Sequence, residues 1–198
     1  MDKFSEMQVG ALCEMGNIGA GNAATALSQL LGFKIDITVP HVRVVPIDSM
    51  EAWGDRGEIK IALYLKVEGE VSGKALFLMS TKSGEFIVKT LMGGKEGLDL
   101  FHDEMACSAI KEIGNILVSS FLVALTNFSG VQMQSSVPAL SIDMLGAMLQ
   151  GIFLDSEDVG EDILVLDTEF SGISAIEGIF MFIPNGDSLK KLLGAFGL

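Results

Sequence analysis

Positive charge is scarce in this sequence: 13 Lys and Arg stand against 26 Asp and Glu, a formal net charge of −13. Such a chain repels nucleic-acid phosphates and anionic lipid headgroups, so neither is an expected partner. A cationic or metal-bearing protein remains a possible one. Cysteine and histidine are sparser still, with two Cys (Cys13, Cys107) and two His. Neither cysteine belongs to a CxxC pair and the histidines lie far from any ligand-like spacing, which argues against a zinc site or a disulfide framework. Both cysteines read as plain thiols filling core or helix positions. No run of about 18 uncharged apolar residues appears, which argues against membrane insertion. The opening "MDKFSEMQVG" lacks the basic and apolar regions of a secretion signal. The expected location is the cytoplasm.

What is present is apolar and glycine-rich. The 198 residues are 49% hydrophobic with a mean hydropathy of +0.47. A chain of that size buries roughly 70% of its unfolded surface and needs no covalent staples.

The chain is a duplication. Shifted by 98 positions, "EMGNIGAGNAATALSQLLGFKIDITVP" (14–40) lies on "EIGNILVSSFLVALTNFSGVQMQSSVP" (112–138) with nine identities in twenty-seven positions. Glu14, Gly16, Asn17 and Ile18 recur as Glu112, Gly114, Asn115 and Ile116, and Val39-Pro40 returns as Val137-Pro138. "VSGKALFLM" and "IEGIFMFI" form a second, weaker correspondence. The organisation expected is one domain over 1–198 made of two repeats, 1–98 and 99–198.

Each repeat reads as a long helix followed by strands. "IKIALYLKVEG", "VSGKALFLMS", "ILVLDTEFSG" and "AIEGIFMFIP" are apolar, β-branched and aromatic, joined by glycine-containing turns. "TKSGEFIVKTLMGG" and "NGDSLKKLLGAFGL" read as capped amphipathic helices, and "GGKEGLDLF" as the linker between halves. The fold class expected is α+β: an internally duplicated, pseudo-two-fold domain with an antiparallel β-sheet core and long exposed helices carrying the sites.

"GAGNAA" (19–24) matches a dinucleotide fingerprint, but that motif works only where a strand turns into a helix, and "EMQVGALCEM" before it reads helical. Gly16, Gly19, Ala20, Ala23 and Ala24 instead suit close packing between elements. In the second repeat the glycines are mostly replaced while Glu112 and Asn115 stay. At 100° per residue Glu104, Ser108, Lys111, Glu112 and Asn115 share one helix side, with Ala106, Ile110, Ile113 and Leu117 opposite. A solvated face would explain one Glu-x-x-Asn; its recurrence in both halves is not demanded by helix packing. Glu and Asn one turn apart lack a nucleophile or a base of their own. They can complete a partner's active site, the amide holding a water in line with a phosphoryl group and the carboxylate meeting a cation.

These residues resemble the CheC family of bacterial chemotaxis phosphatases. The family pattern is Asp or Ser, three residues, Glu, two residues, Asn, then about twenty-two residues to Pro, and Ser108, Glu112, Asn115 and Pro138 match it in full. In the first half Glu14, Asn17 and Pro40 match, with Gly10 at the Asp/Ser position. The resemblance spans the whole chain. It implies hydrolysis of the aspartyl phosphate of the response regulator CheY. Catalytic roles would fall to Asn17 and Asn115, which orient water, and to Glu14 and Glu112, which pair with the regulator's lysine. Ser108 would support the docked helix or its Glu. No cofactor of its own is implied; the Mg²⁺ would sit in the regulator.

The resemblance also implies a second partner, the receptor deamidase CheD. "ALSIDMLGAMLQGIFLDSED" has a Ser/Asp start, helical spacing through Met144, Leu145, Met148 and Leu149, and a Gly end. In the family this short helix docks into CheD as a substrate-like decoy. Asp143 falls at the contact position beside Met144, and Gln150 is placed to mimic the target Gln. The alternative function is a non-catalytic module that regulates CheD or sequesters a regulator. A flagellar switch component resembling FliY is a third reading, disfavoured because the chain ends soon after its second repeat.

Overall fold

The structure is a computed structural model describing residues 5–47, 49, 55–94, 97, 99–100, 102–154, 160–171 and 176–195. The first half runs α1 (Glu6–Leu31), β1 (Asp36–Pro46), β2 (Ile59–Gly69), β3 (Gly73–Ser80) and α2 (Thr81–Leu91). The second runs α3 (Glu104–Ser129), β4 (Met133–Ser135), β5 (Ala139–Met144), α4 (Leu145–Leu154), β6 (Asp162–Ser171), β7 (Ile176–Pro184) and α5 (Ser188–Ala195).

The duplication extends to the helix caps. Ser5 closes a capping box with Gln8 at the start of α1. Asp103, at the equivalent position, accepts from the Met105 and Ala106 N–H groups at the start of α3. Both helices are 26 residues long and stop at a glycine, Gly32 (φ 78°) or Gly130 (φ 72°). That left-handed conformation is open to glycine and costly for other residues.

The seven strands form one antiparallel sheet in the order β1-β6-β7-β3-β2, with β4 and β5 end to end along the outer edge of β2. The order shows an exchange. The first strand of each half lies on the other half's sheet: β1 pairs with β6, and β4 and β5 pair with β2. The halves meet at β3 and β7. One hydrophobic core therefore runs through both, and neither half has a complete sheet of its own.

Helices α1 and α3 pack on one face and against each other. Glycine sets their distance from it. A Cβ at Gly16 would press into Leu166 and Val39, one at Gly114 would collide with Leu63, and one at Gly19 would meet Phe121. Between α3 and the sheet, Phe121 stacks on Phe180 with ring centroids 4.7 Å apart. Helix α3 is long and apolar enough by composition to cross a membrane, but half of that window is buried inside the fold. The sheet and α1 cover its apolar side.

The opposite face carries a smaller core in which Leu145, Met148 and Leu149 of α4 pack on Ala62, Leu76, Val165 and Met181. Here the sequence expectation needs correcting. "ALSIDM" is strand, because it satisfies its backbone on β2, with Asp143 opposite Lys60 and Met144 opposite Ile59. The helix begins at Leu145 and continues through Gly151 to Leu154. The four named strands and the helix α2 form as expected, as does α5 up to Ala195, residues 196–198 lying outside the described residues, whereas β1, β4 and β5 were not among the predicted strands. Of the expected linker, residues 95, 96, 98 and 101 lie outside the described residues.

Candidate functional site

Both Glu-x-x-Asn motifs lie on the outward side of the long helices. Glu14 and Glu112 are exposed, while Met15, Gly16, Ile113 and Gly114 beside them are buried. Alternation of this kind follows from seating α1 and α3 on the sheet through Gly16 and Gly114. Without a Cβ at those points the helix backbone sits low, and the flanking Glu and Asn emerge at the helix margin. Ser108, one turn before Glu112, is exposed on the same stripe. At Gly10 a Cβ would meet nothing within 4 Å, so space does not forbid a side chain there.

The two asparagines differ in what holds them. Strand β1 shifts register between Thr38 and His41, which leaves Val39 without a regular ladder partner. Asn17 supplies one. The Val39 N–H donates to Asn17 Oδ1 at 3.0 Å, and Asn17 Nδ2 donates back to the Val39 carbonyl at 3.2 Å and to the Cys13 carbonyl at 3.0 Å. Cys13 Sγ also approaches the Val39 carbonyl, at 3.5 Å. The carboxamide therefore acts as a clamp on the strand bulge, and Val39 is only 1% exposed.

At the equivalent place in the second half the strand is broken outright between β4 and β5. Ser136 keeps the ladder to β2 going, its N–H donating to the Lys66 carbonyl at 2.9 Å and its Oγ accepting from the Lys66 N–H at 2.9 Å. Val137 then turns outward and is 87% exposed. Asn115 is not engaged by it. Its Oδ1 accepts from Ser119 Oγ at 3.4 Å, a long and weak bond. The second carboxamide is thus free to turn toward a docked partner, whereas the first must release buried backbone groups.

An open groove of about 650 Å³ runs beside α1, lined by Val9, Gly10, Cys13, Pro40, His41 and Arg43 among others. Across it Arg43 pairs with Asp167 at 2.7 Å. Among the described residues no three His, Cys, Asp or Glu side chains gather in a cluster.

The residues expected to meet CheD lie at the β5–α4 corner, with Asp143 and Gln150 on the face of the sheet away from the motif helices. Asp143 Oδ1 accepts from the Met144 N–H at 2.7 Å. As successive strand residues, Asp143 and Met144 project to opposite sides of the sheet. Asp143 lines a groove of about 360 Å³ with Ser141, Ala147 and Gly151. Gln150 is exposed on α4.

Comparison with known proteins gives a coherent set of relatives. The model of the CheC-like family matches residues 7–43 and 105–142, one match per half. The chain is 35% identical to the CheY-P phosphatase CheC of Bacillus subtilis, over 98% of this chain and 96% of that one. It is 31% identical to the flagellar motor switch phosphatase FliY of the same organism, over 72% of this chain and 37% of the relative. Among solved structures, Thermotoga maritima FliY shares the fold with a TM-score of 0.79 at 23% identity, covering 98% of each chain.

Proposed function

Since this chain belongs to the CheC-like family, we propose that it is a phosphatase acting on the aspartyl phosphate of the response regulator CheY, with α3 as its principal catalytic helix. The observation that carries this reading is the unclamped Asn115 beside the exposed Glu112 and Ser108 on a convex helix face. A convex site cannot enclose a small substrate. It can enter another protein's pocket and supply what is missing there.

In the docked state the Asn115 carboxamide holds a water in line with the phosphorus of the acyl phosphate. The water oxygen forms the new P–O bond as the bond to the aspartate oxygen breaks. The carboxylate leaves with the electron pair, and the water's proton passes to the phosphate product or to solvent. Glu112 pairs with the regulator's active-site lysine, and Ser108 steadies Glu112 or the docked helix. In this reading the regulator would hold the divalent cation that neutralises phosphoryl charge, and this chain would supply none of its ligands. Glu14 and Asn17 form the corresponding but weaker site, lacking the Ser at Gly10 and with Asn17 engaged by Val39.

The test is phosphate release from phosphorylated CheY with Mg²⁺, comparing wild type, Asn17→Ala, Asn115→Ala and the double variant. The wild type accelerates release, and Asn115→Ala lowers turnover by about 10²–10³-fold, the usual effect of deleting one positioned donor. Asn17→Ala has a smaller effect. Wild-type release no faster than spontaneous decay would sink the reading.

A second role is CheD binding through Asp143, Met144 and Gln150. It is favoured by the exposure of all three at the β5–α4 corner, where Leu145, Met148 and Leu149 of α4 turn inward and leave small Ala147 and Gly151 outside. Asp143→Ala weakens CheD binding in a pull-down or titration and leaves phosphate release unchanged. Unchanged CheD affinity rejects the assignment.

A further inference from the structure

Met7 and Met105 stand 98 positions apart, each in the first turn of its long helix, and are 69% and 67% exposed. Large apolar side chains at helix starts have no reason of stability to face water, and the same residue does so twice at matched exposure. Their direction adds the second point. Each lies seven residues before the motif Glu, two turns along the helix. With 3.6 residues per turn, Met105, Ser108, Glu112, Asn115 and Ile116 fall within about 100° of arc, Met105 about 10 Å from Glu112 along the axis. Met7, Gly10, Glu14, Asn17 and Ile18 repeat that layout, and Ile18 is itself exposed.

We propose that Met7 and Met105, with the exposed Ile18 at the far end of the first stripe, are the apolar anchors by which each catalytic helix docks on the phosphorylated regulator's receiver domain. This rests on the phosphatase reading, because the occupant is fixed by continuity with the catalytic pair: whatever receives Asn115 must also cover Met105. A polar pair bracketed by apolar residues has the layout of an interface centre, where desolvated anchors supply affinity and exclude water from the polar contacts. Methionine suits the task, since its flexible thioether adapts to an uneven apolar surface. In this division the anchors set affinity and Asn sets turnover.

The experiment compares Met105→Gln, Met7→Gln and the double variant with wild type. Gln has similar length and helix propensity, so the helices are retained. Two readouts are taken: steady-state phosphate release from phosphorylated CheY, and direct binding to CheY held in its phosphorylated form by BeF3⁻ and Mg²⁺. Met105→Gln raises KM and the dissociation constant roughly tenfold, the size of one interface anchor, with kcat within about twofold. The double variant binds more weakly still. Leu30→Gln, exposed on α1 but about 160° round the helix from Glu14, leaves both readouts unchanged. A wild type that hydrolyses or binds, together with a double variant of unaltered KM and affinity, overturns the anchors while leaving the phosphatase reading intact. A wild type that binds without hydrolysing defeats the phosphatase reading, and the binding arm then decides the anchors alone. A wild type that neither binds nor hydrolyses removes both.

Discussion

Asn17 and Asn115 occupy equivalent positions yet differ in surroundings, so their substitutions separate stability from catalysis. Replacing Asn17 by Ala strands the N–H and carbonyl of a buried Val39, which costs about 1–3 kcal/mol. Replacing Asn115 by Ala removes one long bond to Ser119 and changes stability by less than about 0.5 kcal/mol. Urea denaturation of the two variants checks this ordering, and equal midpoints would contradict the clamp. Gly10 gives a prediction of opposite sign. It lies inside α1 with open space around its Cβ position, so Gly10→Ser raises stability by about 0.5 kcal/mol through helix propensity alone. A higher melting temperature is the expected result.

At the scale of elements, the glycine inside Glu-x-Gly-Asn spaces the helix from the sheet. Ala at Gly114 forces α3 away from Leu63 of β2 or pushes that side chain off its rotamer, at a cost of about 1–3 kcal/mol. Because Asn115 is the next residue, Gly114→Ala lowers phosphate release as well as the unfolding midpoint; a variant less stable but fully active would show that helix height does not position the site. The recurrence of Glu, Gly and Asn was legible in the sequence, as were α1, α3 and the apolar strands β2, β3, β6 and β7. The close-packing role of Gly16 was legible as well, but the partners that these glycines meet, Leu166 and Leu63, were not, being remote in sequence. The Asn17 clamp escaped for the same reason: nothing local links position 17 to a bulge at position 39. Strand β5 was read as part of a helix because its residues also fit a helical spacing, and only pairing with β2 decides between the two. The Met7 and Met105 correspondence was visible at the same offset of 98, but lay outside the aligned stretch from Glu14 to Pro40.

For the whole molecule, strand exchange ties the halves together. A fragment ending at residue 98 keeps β1, β2 and β3 but loses β6, the partner of β1, and the β4 and β5 segments that border β2. Expressed alone it shows no cooperative monomeric unfolding transition, whereas mixing it with the 99–198 fragment restores one, measurable by circular dichroism. A fragment that melts cooperatively as a monomer would show that the exchange is dispensable.

The same exchange makes the chain equivalent to a two-fold dimer written into one polypeptide. In a dimer of identical subunits, any change to a site is made twice. Joined head to tail, the copies answer to separate stretches of sequence, and only the shared sheet must remain compatible. One asparagine can therefore be committed to bracing a strand while its twin is left loose, a division of labour that true symmetry would forbid.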